Sequence, residues 1–341
     1  MKFARSGIVL KPSATLGRMG TLNPACARLR DNALQLYPRM VAPGNISRIG
    51  SFRANERSDG SLELEFRGFA LEPEAPYELR DGPDGYGCED PRVTFVPAID
   101  RYVMAYVAFG PRGPEVAVAI SEDGLLWTRL GLLQFQGSDE PFADKDSAIF
   151  PEPVISPSGV ESLAFYHRPT LQLSGNAKET LLEIEALPPS RREGISIAYA
   201  PLAAIRADID ALCVATETHR LELPPANWGT IKVGAGAPPV RIDEGWLSVI
   251  HGVDELSHPD GVALLRYCAG VLIHDTQRLD RILFRSPHPL FVPKSGPELH
   301  GAVGHVVFPS GIDRRGEREF EIYYGMADYE IGRGNLTLDP F

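Results

Sequence analysis

Cysteine is scarce in this chain. Its 341 residues hold four, Cys26, Cys88, Cys213 and Cys268, scattered without metal-ligand spacing. They read as small buried hydrophobes in a reducing, cytoplasmic setting. The eight histidines lack ligand spacing as well, and no carboxylate cluster offers an oxygen cage, so no metal and no cofactor are expected. No apolar run is long enough to span a bilayer, and Met1 to Gly20 has no continuous apolar core of a signal peptide. Positive charge is in deficit: the net charge of −11 disfavours nucleic acid and anionic membranes as partners, although it permits a local basic pocket. Helical periodicity is nearly missing. Only Pro201 to Val214 sets Leu202, Ile205, Ile209 and Leu212 at helical spacing, and a loop explains that segment equally well. No low-complexity linker divides the chain.

What is plentiful is turn chemistry. There are 33 glycines and 30 prolines, many at hairpin-like spots between alternating apolar runs, such as Asp59-Gly60 and Asp123-Gly124. Five short elements, Asn23-Pro24, Asp90-Pro91, Phe150-Pro151, Ala237-Pro238 and Phe308-Pro309, are each followed by an apolar strand with a polar end. A strand system recurring at roughly 60–90 residues signals repeated supersecondary units, and such units suit four-stranded blades of a radial β-propeller. The expectation is one all-β domain over residues 1–341, a five-bladed β-propeller with an insertion loop at about 172–193. Polar strand ends would then converge on a central channel.

Several segments carry chemistry, each with a plain alternative. In Gly87-Cys88-Glu89-Asp90-Pro91-Arg92-Val93, proline fixes the backbone and presents Asp90 from an extended position. Asp90 is then a general acid or sugar-binding carboxylate, or simply a turn residue. Lys145-Asp146 leads into the strand Ser147 to Phe150, which is otherwise a solvated loop. Arg168 ends an aromatic strand, where it binds an anion or pairs with a carboxylate such as Asp146 or Glu152. Lys232 sits in the small-residue run Gly229 to Pro239, which lacks the Gly-Lys-Ser/Thr of a P-loop. His251 ends another strand, a position more often structural than catalytic. Converging on one axis, Lys145, Arg168, Lys232 and His251 suggest an anion site, with Asp90 and Asp328 in the same channel. Tyr37, Tyr86, Tyr106, Tyr166, Tyr267, Tyr323 and Tyr324 are candidate walls, or core.

Seven motifs in order, Gly-Cys-Glu-Asp-Pro-Arg-Val, Lys-Asp-Ser-Ala-Ile-Phe-Pro-Glu, His-Arg-Pro, Lys-Val-Gly-Ala-Gly-Ala-Pro-Pro, Gly-Trp-Leu-Ser-Val-Ile-His-Gly-Val, Val-Val-Phe-Pro-Ser-Gly and Tyr-Tyr-Gly-Met-Ala-Asp, resemble glycoside hydrolase family 130. That family holds β-mannoside phosphorylases and some β-1,2-mannosidases on a five-bladed β-propeller. The resemblance spans roughly residues 20–335. It implies that Asp90 is the proton donor, acting through the mannosyl 3-hydroxyl. It implies phosphate binding at Lys145, Arg168, Lys232, His251 and Tyr267, and sugar binding at Asn23, Arg39, Arg48, Arg92 and Asp328. Lys145 departs from phosphorylases that carry Arg there, since Lys cannot make a bidentate contact. Pro38 inside Tyr37-Pro38-Arg39 is a second departure. The implied reaction is inverting phosphorolysis of β-mannosides to α-mannose 1-phosphate, with inorganic phosphate as co-substrate and an oligosaccharide as partner. An inverting β-mannosidase, with Glu89, Asp146 or Glu152 as base, and a non-catalytic carbohydrate-binding propeller are the alternatives. A homo-oligomer is compatible with all three.

Overall fold

The computed structural model describes residues 1–82, 85–137, 142–171, 177–256 and 264–339. The chain is all-β. Strands β1 (Lys2–Leu10), β2 (Gly20–Arg28), β3 (Leu34–Ala42), β4 (Ile46–Glu56) and β5 (Leu62–Leu71) come first. Then follow β6 (Tyr86–Val96), β7 (Arg101–Gly110), β8 (Gly113–Ser121) and β9 (Thr128–Leu132). Strands β2 to β5 and β6 to β9 form two antiparallel runs, joined only by a short parallel pairing of Ile46 with Tyr86 and Ser47 with Gly87. After β10 (Gln134–Phe135) come β11 (Asp144–Ile149), β12 (Val154–Ile155), β13 (Glu161–Pro169), β14 (Ser196–Pro201), β15 (Val214–Ala215) and β16 (Glu217–Arg220). β11, β13, β14 and β16 make the next sheet, with β12 on β13, while β10 pairs parallel with β15. Another sheet orders β17 (Lys232–Ala235), β19 (Gly245–Leu256), β20 (Leu264–His274) and β21 (Ile282–Arg285), with β18 (Val240–Ile242) on β19. The last joins β22 (Val307–Arg314), β23 (Glu319–Met326), β24 (Glu330–Thr337) and, from the other end of the chain, β1.

Burial explains how these strand groups meet. Tyr37 and Ile49 pack with Met104 and Tyr106. Val103 and Val118 pack with Phe165 and Ala198. Phe150 and Tyr166 pack with Trp228, Trp246 and Leu272. Val249 and Val271 pack with Ile322 and Leu336, and Leu36 and Phe52 with Tyr323. Each group thus buries one face against the next, and the last against the first, which is where hydrophobic burial supplies most of the stabilisation.

Helix is confined to small pieces. The segment 201–214 divides into α2 (Leu202–Ala207) and a 3₁₀ turn (Ile209–Cys213), broken at Asp208, whose side chain accepts from the Asp210 amide. Leu202, Ile205 and Leu212 are buried as the spacing anticipated. The expected insertion loop instead contains helix α1 (Ala177–Ala186); residues 172–176 of that expectation lie outside the described residues. A four-residue helix, α3 (Gly296–Leu299), precedes β22. All four cysteines are free and buried. Among the described residues no helix is long and apolar enough to cross a membrane, and no group of three potential metal ligands is found.

Four of the five groups carry one irregularity in a strand of the cleft side, whereas β17 pairs with β19 in unbroken register. β2 breaks register between Leu22 and Ala25, β6 between Glu89 and Arg92, β11 between Lys145 and Ala148, and β22 between Pro309 and Gly311. Inside the first three bulges sit Asn23, Asp90 and Asp146, with φ of 45°, 44° and 58°. Bulges re-aim side chains, and Asn and Asp tolerate the left-handed region better than other residues. Asp90 is therefore not extended, as the following proline suggested. The bulge overrides the preference of a pre-proline residue for β-region backbone.

Candidate active site

The bulged side chains point into one cleft of ≈ 380 Å³, a size within the usual range for small-ligand sites. Asn23 and Asp90 arrive from the bulges of β2 and β6, Arg39 from β3, and Asp328 from the turn after β23. Lys145, Asp146 and Arg168 come from β11 and β13, where Lys145 and Arg168 are register partners. Lys232, His251 and Tyr267 come from β17, β19 and β20. Thr170, Glu193, Val303, Val306 and Phe308 complete the lining.

At one end the contacts centre on Asp90. Its Oδ1 accepts from Asn23 Nδ2 at 2.9 Å and from Arg39 Nη1 at 3.3 Å. Arg39 also donates to Glu89 Oε1 at 2.7 Å and to Ser47 Oγ at 3.0 Å. Burial works to raise the Asp90 carboxyl, but Arg39, Arg92, Asn23 and Lys145 outweigh it and hold it below the usual carboxylate range. Asp328 behaves oppositely. Burial pushes it up to about 6 against the pull of Arg39, with Asp90 and Glu89 adding repulsion. Two carboxyls in one cleft are thus driven apart in acidity, a pattern common at catalytic sites.

The other end is built around Arg168. Its Nε donates to Asp146 Oδ2 at 2.5 Å, and its Nη1 donates to Glu193 Oε2. Burial works against the Asp146 carboxylate, yet Arg168, His251 and Arg92 hold it well below the usual range. His251 Nε2 lies 3.5 Å from the same Asp146 oxygen, and its Nδ1 donates to the Ala235 carbonyl at 3.2 Å. Burial lowers His251 to about 4, so it is a neutral imidazole near pH 7 and not one of the site's cations. Among the described residues no carboxylate pairs with Lys145 or Lys232; Lys232 Nζ lies 5.4 Å from the centroid of the Tyr267 ring.

Two glycines make these approaches possible. A Cβ on Gly234 would stand 2.2 Å from Asp146 Oδ2 and 2.4 Å from His251 Cε1. A Cβ on Gly325 would stand 2.1 Å from Asn23 Oδ1. Both separations are far inside van der Waals contact. The small-residue run after Trp228 therefore serves close packing beside Asp146.

Two sequence-derived candidates fall outside the lining. Arg92 is buried behind it, donating to Gly236 O at 2.8 Å and to Asp90 O at 2.6 Å, with its guanidinium 5.2 Å from the Phe308 ring centroid. Arg48 turns away, 4.0 Å from the Phe69 ring centroid and 3.4 Å from Glu72, because its register partner Met40 puts it on the face opposite Arg39. Of the tyrosines, only Tyr267 lines the cleft. Tyr37, Tyr106, Tyr166, Tyr323 and Tyr324 are core, their hydroxyls bound to Gly124, Glu78, Ser248, Glu321 and Glu298. Glu152 is exposed and does not pair with Arg168; Glu193, which no motif flagged, does. Glu89 is committed to Arg39.

The glycoside hydrolase family 130 model, described as β-1,4-mannooligosaccharide phosphorylase, matches residues 10–176 and 215–340. The chain belongs to this family. The 1,2-β-oligomannan phosphorylase of Thermoanaerobacter sp. (strain X514) is 26% identical over 255 residues, covering 74% of this chain and 69% of that relative. The β-1,2-mannobiose phosphorylase of Listeria innocua is 28% identical over 255 residues, covering 74% of this chain and 58% of its own length. The Listeria innocua β-1,2-mannobiose phosphorylase structure, solved with β-1,2-mannobiose, superimposes with a TM-score of 0.68 at 20% identity, covering 99% of this chain and 97% of that one. The family 130 fold is thus shared along the whole chain.

Proposed function

We propose that this chain is a β-mannoside phosphorylase, transferring a mannosyl group from a β-mannoside to inorganic phosphate with inversion and releasing α-mannose 1-phosphate. One observation carries the reading. Two ammonium groups, Lys145 and Lys232, without carboxylate partners among the described residues, share a cleft with the largely enclosed carboxyls of Asp90 and Asp328. The phosphorylase names of the relatives support it. Lys145, Lys232 and Arg168 hold the phosphate by charge-assisted contacts, with Tyr267 beside them. The neutral His251 offers Nε2 as an acceptor, which suits the protonated oxygen of hydrogen phosphate. Asn23, Arg39 and Asp328 bind the mannosyl group. Arg92 positions Asp90 from behind through its carbonyl. Arg48 takes no part in this reading.

In the reaction a phosphate oxygen forms a bond to mannosyl C1 as the β-glycosidic C1–O bond breaks. The leaving oxygen takes that electron pair and a proton that originates on Asp90, relayed through the 3-hydroxyl. Phosphate is itself the nucleophile, so no carboxylate base is required. An acid must carry a proton, and Asp90 is held ionised by the cations around it. A phosphate dianion beside Lys145 offsets part of that field. Asp328, pushed up to about 6 by burial with Asp90 adding repulsion, is the neighbouring carboxyl that holds a proton most readily.

We read the strand groups as five blades of a β-propeller, with β1 on β24 joining its ends, and the chain as a single domain. Four buried free thiols suit a reducing cytoplasm.

A second reading, inverting hydrolysis, is favoured by the two carboxylates of Asp146 and Glu193 on Arg168, since water attack needs a carboxylate base. The family also contains hydrolases that target β-1,2-mannosidic linkages. Incubating β-1,2- and β-1,4-manno-oligosaccharides with and without phosphate decides the matter. Mannose 1-phosphate formed only with phosphate is the expected result; free mannose released regardless of phosphate would replace this reading with the second.

A further inference from the structure

Arg168 is the deepest cation of the anion end, and two carboxylates of the protein already occupy it. Asp146 is fixed: it is 3% exposed, sits in a bulge, and faces both Arg168 and His251. Glu193 differs. It rims the cleft on the segment between α1 and β14, and it lies outside both stretches matched by the family model. Its Oε2 accepts from Arg168 Nη1, while its Oε1 accepts from the Leu171 amide at 3.1 Å.

The backbone beneath Glu193 is well anchored. Its carbonyl accepts from Val233 N at 3.2 Å. The preceding Arg192 donates to Leu187 O at 3.0 Å, Glu185 O at 2.8 Å and Thr230 O at 2.5 Å, tying the end of α1 to the residues before Lys232. Side-chain rotation alone can therefore take the carboxylate off Arg168, and the Leu171 amide remains available to receive it. A phosphate approaching Lys145, Lys232 and Arg168 meets this carboxylate, and like charges at such range repel strongly in a partly desolvated site.

We propose that Glu193 is a built-in competitor of phosphate: it occupies the outer face of Arg168 until the anion displaces it, and so sets the phosphate concentration at which the enzyme works. This rests on the phosphorylase reading of the same cleft. Glu193 is a specificity-determining residue here, not a catalytic one. Its charge weakens phosphate binding while leaving the mannoside end, around Asp90 and Asn23, untouched.

The test titrates inorganic phosphate into the full-length chain by calorimetry for wild type, Glu193→Gln and Glu193→Ala, with melting temperatures alongside. Gln keeps the shape and can still accept from the Leu171 amide but removes the charge. The expected result is about tenfold tighter phosphate binding by Glu193→Gln, with a matching fall in half-saturating phosphate and an unchanged KM for mannoside. Unchanged or weaker phosphate binding by a folded Glu193→Gln overturns the proposal, as does undetectable binding in both proteins. If Gln misfolds, Ala supplies the same comparison. Phosphate-dependent cleavage by wild type reports separately on the phosphorylase reading. Tighter binding by Glu193→Gln together with phosphate-independent cleavage by wild type would leave the competitor in place and remove that reading.

Discussion

Asp90 owes its direction to one backbone angle. At φ 44° it costs on the order of 1–3 kcal/mol relative to relaxed backbone, and Asn23 and Asp146 carry the same kind of strain. The surroundings hold it: Asn23 and Arg39 grip the carboxylate, and Arg92 grips the carbonyl. Asp90→Asn keeps the left-handed preference and the volume, so it should fold and bind sugar normally. Turnover should fall about 100- to 10,000-fold, as when a general acid is removed, and steady-state rates with and without phosphate check this. Unchanged turnover would take Asp90 out of the mechanism. Asp328 makes a prediction of opposite sign for stability. Its carboxyl is raised to about 6, so the native state binds a proton that the unfolded chain releases near pH 4. The group favours folding below pH 4 and loses that contribution as pH rises through 6. Asp328→Asn should thus be more stable than wild type at pH 7, by no more than about 3 kcal/mol, with the gap closing by pH 4. Urea midpoints at the two pH values measure it; a gap that widens in acid would contradict the raised carboxyl.

At the scale of elements, β17 is tightly constrained against the anion end of the site. Gly234→Ala would drive a methyl into Asp146 and His251, and overpacking of this kind costs about 1–3 kcal/mol. The variant should lose phosphate binding along with a few degrees of melting temperature. Gly296→Ala, whose added methyl meets nothing within 4 Å, should change neither. Normal calorimetric phosphate binding by Gly234→Ala would detach β17 from the anion site. Strands and turns were legible because apolar alternation and Pro/Gly punctuation are local signals. The cleft positions of Asp90, Lys145, Arg168, Lys232, His251 and Asp328 were legible from polar residues in motifs beside apolar strands, and those of Asn23, Arg39 and Tyr267 through the family resemblance; Asn23, Arg39, Asp90 and His251 nevertheless lie inside their strands rather than at the ends the sequence suggested. Glu193 was not: its role exists only through Arg168, 25 positions earlier in the chain and across a helix. That Arg48 and Arg92 fall outside the cleft lining was not legible, because charge type is readable from sequence, whereas the face of a strand on which it emerges depends on register and on bulges. The left-handed backbone of Asp90 was hidden by the proline beside it.

Across the whole molecule, stability between about pH 6.5 and 4 depends on histidines buried in their neutral form. His251 and His274 are both lowered to about 4 by burial, His274 with its Nδ1 donating to the Leu279 carbonyl. Unfolding lets each bind a proton from about pH 6.5 downward, so stability present above 6.5 is lost as pH falls toward 4. Each contributes on the order of 3 kcal/mol at most, and Asp328 offsets part of it. The urea midpoint should therefore decline steadily between pH 6.5 and 4.5, and His274→Gln should flatten the decline. A flat wild-type profile would mean that these imidazoles are hydrated in solution.

The pairing of β1 with β24 also dictates an order of events in the making of the protein. Met1 and Asp339, which bond to each other, are 338 positions apart. At about 5–20 residues per second, the ribosome needs roughly 20–70 s to supply the partner strand. Through that interval β1 waits as a bare edge, the kind of element that recruits wrong partners. Its composition suits the wait: Lys2 and Arg5 are charged, and Ser6 and Gly7 follow them. A nascent chain stalled before β24 should expose an edge that is soluble rather than sticky, and translation sets the earliest moment at which β1 and β24 can pair.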